Sequence, residues 1–274
     1  MLTQNELKAL WKETGFRPLK RFGQNFLIDK NIRDKILRQL EISPDDTVLE
    51  IGPGFGELTA SLAGLAKRVI AVEVDHKLSG ILRKKNILSK NVDLVEKDIL
   101  KFDFESLTGN KKIIVYGNLP YYITSPILEK FFKKISLVKC MYLVMQKEVA
   151  ERILAKPGSK SIGRLSLFAQ YYTDPSFMFV IGKNSFYPVP DVDSVMLKLD
   201  VPDRGKLSEK EEDKFFKVIK MAYSQRRKNL LNSLSGTGYS KDELSQILMK
   251  AGIDPNFRAE NLSIEDFMRL SALI

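Results

Sequence analysis

Short apolar runs rich in β-branched residues recur from residue 48 onward, separated by stretches of helical periodicity: VLEIG, RVIAVEVD, VDLVE, KIIVYGNLP and CMYLVMQ. Strands covered by helices on both faces lose the alternation of half-buried strands and read as nearly continuous apolar runs. The pattern therefore predicts successive strands of one parallel, doubly wound α/β sheet. Downstream, IGRLSLFAQYY predicts a helix, and PSFMFVIGKNSFYPVP and SVMLKLD predict antiparallel strands that close the sheet. VPDRG, residues 201–205, combines Pro and Gly with charge and reads as a linker. Beyond it, SEKEEDKFFKVIKMAYSQ, KDELSQILMKAG and SIEDFMRLSALI carry apolar positions at helical spacing, with Ser208 and Ser263 as N-caps. The expected organisation is an α/β domain over residues 1–202 and a small helical domain over residues 203–274.

Composition narrows the chemistry. One cysteine excludes an internal disulfide, and one histidine beside it leaves too few soft ligands for a zinc site, so a reducing compartment and no metal are expected. Cys140 lies in an apolar run and reads as core; His76 carries no assignment. The N-terminal stretch MLTQNELKALWKETG has neither a signal core nor the Arg-rich look of a transit peptide, and nowhere do 18 apolar residues run together. The expectation is a cytoplasmic protein with no membrane partner. Without a heptad pattern or a long exposed apolar stretch, a monomer is expected. The net charge of +10 is spread along the chain and suits a polyanionic partner.

Ligand chemistry gathers at the ends of the predicted strands. In VLEIGPGFGELT, Gly52, Gly54 and Gly56 follow the first apolar run and precede a helix, where a tight turn lets backbone amides approach a ligand. The spacing is GxGxG followed by Glu57, so the third glycine of a dinucleotide fingerprint is missing. Glu73 ends the second run, where a carboxylate can accept both hydroxyls of a ribose. Asp98, past the third, can accept from an adenine amino group, with Ile99 packing on the ring, and Glu50 can hold the ammonium of a methionine moiety. Taken singly, each carboxylate reads equally well as a solvated loop charge. Together, three successive strand ends describe a nucleoside-sulfonium site.

The fourth run ends in GNLPYY. An aromatic amine is a poor nucleophile because its lone pair is delocalised into the ring, so its methylation needs acceptors that favour a more tetrahedral nitrogen. Asn118 can supply its side-chain oxygen, and the main-chain carbonyl of Leu119 or of Pro120 a second acceptor, while Pro120 removes an unwanted donor. Tyr121 can stack on an extruded base, worth about 1–3 kcal/mol against the cost of extrusion. Phe186, in NSFYPVPDVDS, can cover the other face of the base or can pack as an ordinary core residue. No strong general base is required, because methylation makes the departing proton acidic enough for water.

These residues resemble the ribosomal RNA adenine N6,N6-dimethyltransferase family, and within it the bacterial small-subunit branch, the dimethyladenosine transferases. The likeness runs through KRFGQNFLID, EIGPGFGELT, VEVD, NLPYYITSPIL, QKEVAERI and FYPVPDVDS to AYSQRRKNLLNSL. The last motif is absent from the C-terminal helices of the similar enzymes that methylate large-subunit rRNA. The resemblance implies a Rossmann-like S-adenosylmethionine methyltransferase sheet with a small C-terminal helical domain. It also implies cofactor contacts from Asn25, Leu27, Gly52, Gly54, Glu73, Asp98 and Asn118, and a catalytic set of Asn118, Leu119, Pro120, Tyr121 and Phe186. The implied substrate is a pair of adjacent adenosines in the 3′-terminal hairpin loop of 16S rRNA, within a precursor of the small ribosomal subunit. In YITS, residues 122–125, the chain departs from the more usual Asn-Ile-Ser-Thr.

For the RNA, Lys20, Arg21, Arg152, Arg226, Arg227 and Lys228 stand out as phosphate contacts, though a solvated face accounts equally for isolated lysines, and Arg227 can instead serve domain packing. Two other function classes remain open on these residues. One is a ribosome-assembly factor whose main contribution is binding the immature subunit; the other is a methyltransferase acting on DNA adenine or protein glutamine. The latter enzymes usually carry a second proline where Leu119 stands, and neither accounts for AYSQRRKNLLNSL.

Overall fold

A computed structural model describes residues 2–19, 22–84, 88–108, 111–120, 123–203, 207–225 and 227–274. The chain forms two compact units, one of Met1–Ala150 with Pro175–Val201, the other of Glu151–Asp174 with Pro202–Ile274.

The strands of the first unit, in chain order, are β1 (Phe26–Leu27), β2 (Thr47–Ile51), β3 (Arg68–Glu73), β4 (Val92–Glu96), β5 (Ile113–Asn118), β6 (Val138–Gln146), β7 (Asp174–Ile181), β8 (Phe186–Tyr187) and β9 (Ser194–Asp200). Seven of them make one sheet in the order β4-β3-β2-β5-β6-β9-β7. The five runs read as parallel strands pair in parallel, and β9 runs antiparallel to β6. Leu49, Ile70, Val115, Met141 and Leu197 are buried at the sheet centre, as continuous apolar runs require. Between β2 and β5 the crossover direction reverses. Ligands of open α/β sheets bind outside the carboxyl ends of the strands at such a switch point. Here Gly52 follows β2 and Asn118 ends β5.

The segment PSFMFVIGKNSFYPVP does not stay in one sheet. It divides into β7, beside β9, and β8, which pairs antiparallel with β1 in a separate two-stranded ribbon joining Phe26 to Tyr187 and Leu27 to Phe186. The chain turns away from the sheet at Gly182 and a single 3-10 turn, Lys183–Ser185.

An N-terminal helix, Gln4–Thr14, went unread in the sequence. Thr3 and Glu6 form a capping box at its start, and Gly15, at φ +65°, ends it. Its Leu7 and Leu10 are buried with Phe16, Phe55, Leu78 and Ile81.

The second unit is helical, and its membership differs from a linear split at residue 202: Glu151–Asp174 belongs to it. The reason is where the apolar faces go. Ile162 and Leu167 are buried with Phe215, Ile219, Leu244, Leu248, Phe267 and Leu270, while Tyr171 and Tyr172 direct their hydroxyls to Glu212. The three expected helices span Glu209–Ala222, Lys241–Lys250 and Ile264–Leu273, and each begins in a capping box, at Ser208, Ser240 and Ser263 respectively. No described helix is long and apolar enough to cross a membrane.

Candidate active site

Two adjoining cavities, of about 1060 and 710 Å³, open at the carboxyl ends of β2 to β5 and share Asn25, Phe26, Gly52, Gly54 and Asn118 in their walls. The larger holds Glu73, Asp98, Ile99, Leu119 and Pro120; the smaller holds Glu50, Leu27, Tyr116 and Phe186. Every described residue of the implied cofactor and catalytic sets therefore lines one or both, as do Glu50 and Ile99, whereas Gly56 of the glycine turn lines neither. Tyr121 lies outside the described residues.

The glycine turn is built for close approach. Gly52 and Gly54 sit at φ +69° and +59°, a conformation that disfavours any side chain. A Cβ on Gly54 would meet the Phe26 ring at 3.2 Å, whereas the space beside Gly52 is open, a cradle that a side chain would fill. Glu73, 4% exposed, accepts from the Gly54 and Asp75 N–H groups at 3.3 and 2.9 Å. A carboxylate has about four acceptor positions, so capacity for two ribose hydroxyls remains. Burial pushes its pKa up to about 7 against these two hydrogen bonds, with the Asp75 carboxylate adding to the rise. Asp98 accepts from the Leu100 N–H at 2.9 Å through Oδ1 alone, which leaves Oδ2 for a further donor.

Glu50 is the least satisfied group of the site. It is 2% exposed, its Oε2 has no hydrogen-bond partner among the described residues, and burial raises its pKa to about 7 against the lowering influence of the Thr59 hydroxyl. A bound ammonium would supply the missing partner. The residues present thus fit a ligand with ribose hydroxyls, an adenine amine and a cationic amino group.

The turn after β5 is fixed on several sides. The Asn118 carboxamide nitrogen donates to the Asn25 carbonyl at 3.2 Å, which leaves its oxygen as acceptor. The Leu119 N–H donates to the Val144 carbonyl at 2.8 Å. The Pro120 carbonyl receives both the Ile123 N–H and the Thr124 hydroxyl, each at 3.2 Å. Of the two main-chain acceptors left open by the sequence, the one at Pro120 is already engaged. Gly117 is needed for this geometry, since a Cβ there would meet Leu119 Cδ2 at 3.0 Å and Ile51 Cβ at 3.1 Å.

Phe186 is 2% exposed and packs with Ile36, Tyr116 and Val144, so the core reading of this residue holds, yet it also lines the smaller cavity with Asn118. Sequence reasoning missed Gln24, whose side chain donates to Asp75 at 2.8 Å beneath Glu73. Its signal was the KRFGQNFLID motif, where no role attached to it.

Lys20, Arg21 and Arg226 lie outside the described residues. Arg152, Arg227 and Lys228 are exposed and all belong to the helical unit. Among the described residues no cluster of His, Cys, Asp and Glu can hold a metal ion.

Sheet order, glycine turn and strand-end carboxylates together define a Rossmann-like S-adenosylmethionine-dependent methyltransferase. The chain belongs to the ribosomal RNA adenine dimethylase family, whose description matches residues 15–274. It is thus an enzyme that dimethylates adenine in ribosomal RNA with S-adenosylmethionine as methyl donor. Among its relatives are the ribosomal RNA small subunit methyltransferases A of Moorella thermoacetica, 43% identical over 98% of this chain and 96% of that protein, and of Clostridioides difficile, 42% identical over 99% and 96%. Similar solved structures include a dimethyladenosine transferase from Plasmodium falciparum, with TM-score 0.77 and 28% identity over 89% of this chain and 95% of that one. Another is the 23S rRNA methyltransferase ErmE, with TM-score 0.71 and 26% identity over 91% and 99%.

Proposed function

We propose that the chain acts on the small ribosomal subunit, as a cytoplasmic monomer, methylating two adjacent adenosines in the 3′-terminal hairpin loop of 16S rRNA during subunit biogenesis. The observation that carries the catalytic half is the convergence of the Asn118 carboxamide with Glu50, Glu73, Asp98 and the Gly52 turn on two joined cavities. Relatives named for the small subunit, at 42–43% identity over nearly the whole chain, and the AYSQRRKNLLNSL motif favour this substrate over large-subunit rRNA.

In this reading Glu73 takes the ribose hydroxyls, Asp98 and Ile99 the adenine, Glu50 the ammonium, and Asn25, Leu27, Gly52 and Gly54 enclose the chain between. When bound, the cofactor supplies an electrophilic methyl on a sulfonium. The Asn118 oxygen and the Leu119 carbonyl each accept one hydrogen of the target amine. This draws the nitrogen toward tetrahedral geometry and frees its lone pair for the methyl. Fixed acceptors of this kind act in a water-poor site and need no reorganisation at the moment of reaction. Tyr121 and Phe186 cover the two faces of the base, and the proton leaves to water after methylation. For the second transfer the base turns its remaining N–H to one acceptor. Arg227 and Lys228, with Lys20, Arg21, Arg152 and Arg226, grip phosphates.

The test is to incubate the protein and S-adenosylmethionine with small subunits lacking the modification and quantify dimethyladenosine by mass spectrometry. Product at two adjacent adenosines of the 3′-terminal loop is expected. Product on large-subunit RNA or DNA alone would overturn the substrate assignment; cofactor binding without product on any RNA would favour the assembly-factor reading.

A further inference from the structure

We propose that Trp11 is a positioning residue for methyl transfer, acting through Tyr187 to hold Phe186 in the cavity wall. The inference rests on the reading of Phe186 as a cover for the target base. The indole stacks on Tyr187 with ring centroids 5.2 Å apart and planes 25° from parallel, and meets Phe26 edge-on at 6.3 Å. Phe26 and Tyr187 are register partners in the β1–β8 ribbon, and the next pair is Leu27 with Phe186. Trp11 therefore touches both strands of the ribbon.

Two residues per strand make too short a ladder to hold its own geometry, so side chains must set it. Trp11 is well placed to do so because its helix is anchored. Leu7 and Leu10 are 1% and 4% exposed, and the Leu2 N–H donates to Glu57 at 2.9 Å. Leu2 and Leu7 also line the smaller cavity. The indole Nε1 is buried without a partner among the described residues. A stranded donor disfavours folding, and a phenylalanine would stack without that cost. Trp11 is therefore a poor choice for stability alone, and an aromatic face on Tyr187 is what the position supplies.

The experiment compares full-length Trp11→Ala, Trp11→Phe, Tyr187→Leu, the Trp11→Ala/Tyr187→Leu double variant, Leu10→Ala and Phe186→Ala on small subunits. It measures kcat, calorimetric affinity for S-adenosylhomocysteine, and Tm. Trp11→Ala and Tyr187→Leu should each lower kcat roughly tenfold, the scale of a misplaced reacting group. The double variant should fall no further than the worse single one, because both act through one stack. Trp11→Phe should restore most of kcat, and affinity for S-adenosylhomocysteine should change less than about threefold throughout the Trp11 and Tyr187 series. Leu10→Ala removes a buried side chain of the same helix that lines neither cavity; it should lower Tm at least as much as Trp11→Ala and lower kcat less. The proposal fails if kcat tracks Tm across these variants, or if Trp11→Ala and Tyr187→Leu are additive. If Phe186→Ala keeps wild-type kcat, the base-covering reading fails; if it lowers kcat while Trp11→Ala does not, only the role of Trp11 falls.

Discussion

The two units of this protein satisfy their polar groups to different degrees. In the helical unit the long helices start in reciprocal capping boxes, Tyr171 and Tyr172 share Glu212, and the core is aliphatic and aromatic. At the carboxyl ends of the parallel strands, by contrast, Glu50 is buried with an oxygen that has no partner among the described residues, and Glu73 is buried beside Asp75. Local rules that are obeyed serve folding. Local rules that are broken in one cluster mark where a ligand is needed to complete the structure.

The largest expected effect lies where the difference is sharpest. Asn118→Ala should lower kcat for dimethyladenosine formation by about 100-fold or more, the scale found when one fixed transition-state hydrogen-bond partner is removed. Its folding should be intact, because the side chain makes one 3.2 Å hydrogen bond, to a loop carbonyl. A circular dichroism melt beside the mass-spectrometric assay separates the two. Comparable losses of Tm and kcat would mean that Asn118 merely ends its strand.

Glu50→Gln should reverse the usual order of stability and function. The folded protein holds a proton on Glu50 up to about pH 7 that the unfolded chain releases near 4.5. Its stability contribution therefore falls as pH rises through that window. An isosteric amide removes this penalty, so the variant should melt at higher temperature than wild type at pH 8. It should bind S-adenosylhomocysteine some 10- to 100-fold more weakly, the range for losing a charge-assisted hydrogen bond. Because an ammonium requires the ionised carboxylate, wild-type affinity should increase with pH up to about 7, by as much as about tenfold per unit from this group, and then level. Titration calorimetry from pH 5.5 to 8 on both proteins would show one unit less slope in the variant; an unchanged slope would remove Glu50 from the cofactor site.

A smaller effect is expected on the helical unit's surface. Arg227→Ala with Lys228→Ala should weaken binding to small subunits severalfold and flatten its salt dependence by roughly one logarithmic unit or more, as two phosphate contacts require. Affinity for the free cofactor should not move. Equal weakening at all salt concentrations would point to a packing role.

What the sequence made legible follows the same division. The succession of parallel strands, the glycine turn and the strand-end positions of Glu73, Asp98 and Asn118 were readable because they depend on local periodicity and on one topological rule. The joining of β1 to β8 was not, since it pairs residues 161 and 159 apart through strands two residues long, shorter than any periodic signal. Nor was the fate of residues 151–174: their apolar face could be read, but which core would receive Ile162 and Leu167 depends on partners that lie beyond residue 207. Phe186 shows the same limit at a single position, since its loop-like setting concealed a buried ring packed on Val144.

The smallest effect tests the well-satisfied side of the comparison. At Ser263 the Asp266 N–H donates to the hydroxyl at 3.1 Å, and the Ser263 N–H donates back to the Asp266 carboxylate at 2.8 Å. Ser263→Ala removes one of these two hydrogen bonds and should cost about 1 kcal/mol, the usual worth of an N-cap. The helix it starts, Ile264–Leu273, buries Phe267 and Leu270, so the loss should register as a lower denaturant midpoint with unchanged slope. Cofactor affinity and kcat at 25 °C should stay at wild-type values, because a cap that is only a cap has nothing to give the chemistry. A fall in kcat at unchanged fold would show that the order of this unit is itself part of catalysis, and that polar satisfaction alone does not separate scaffold from site.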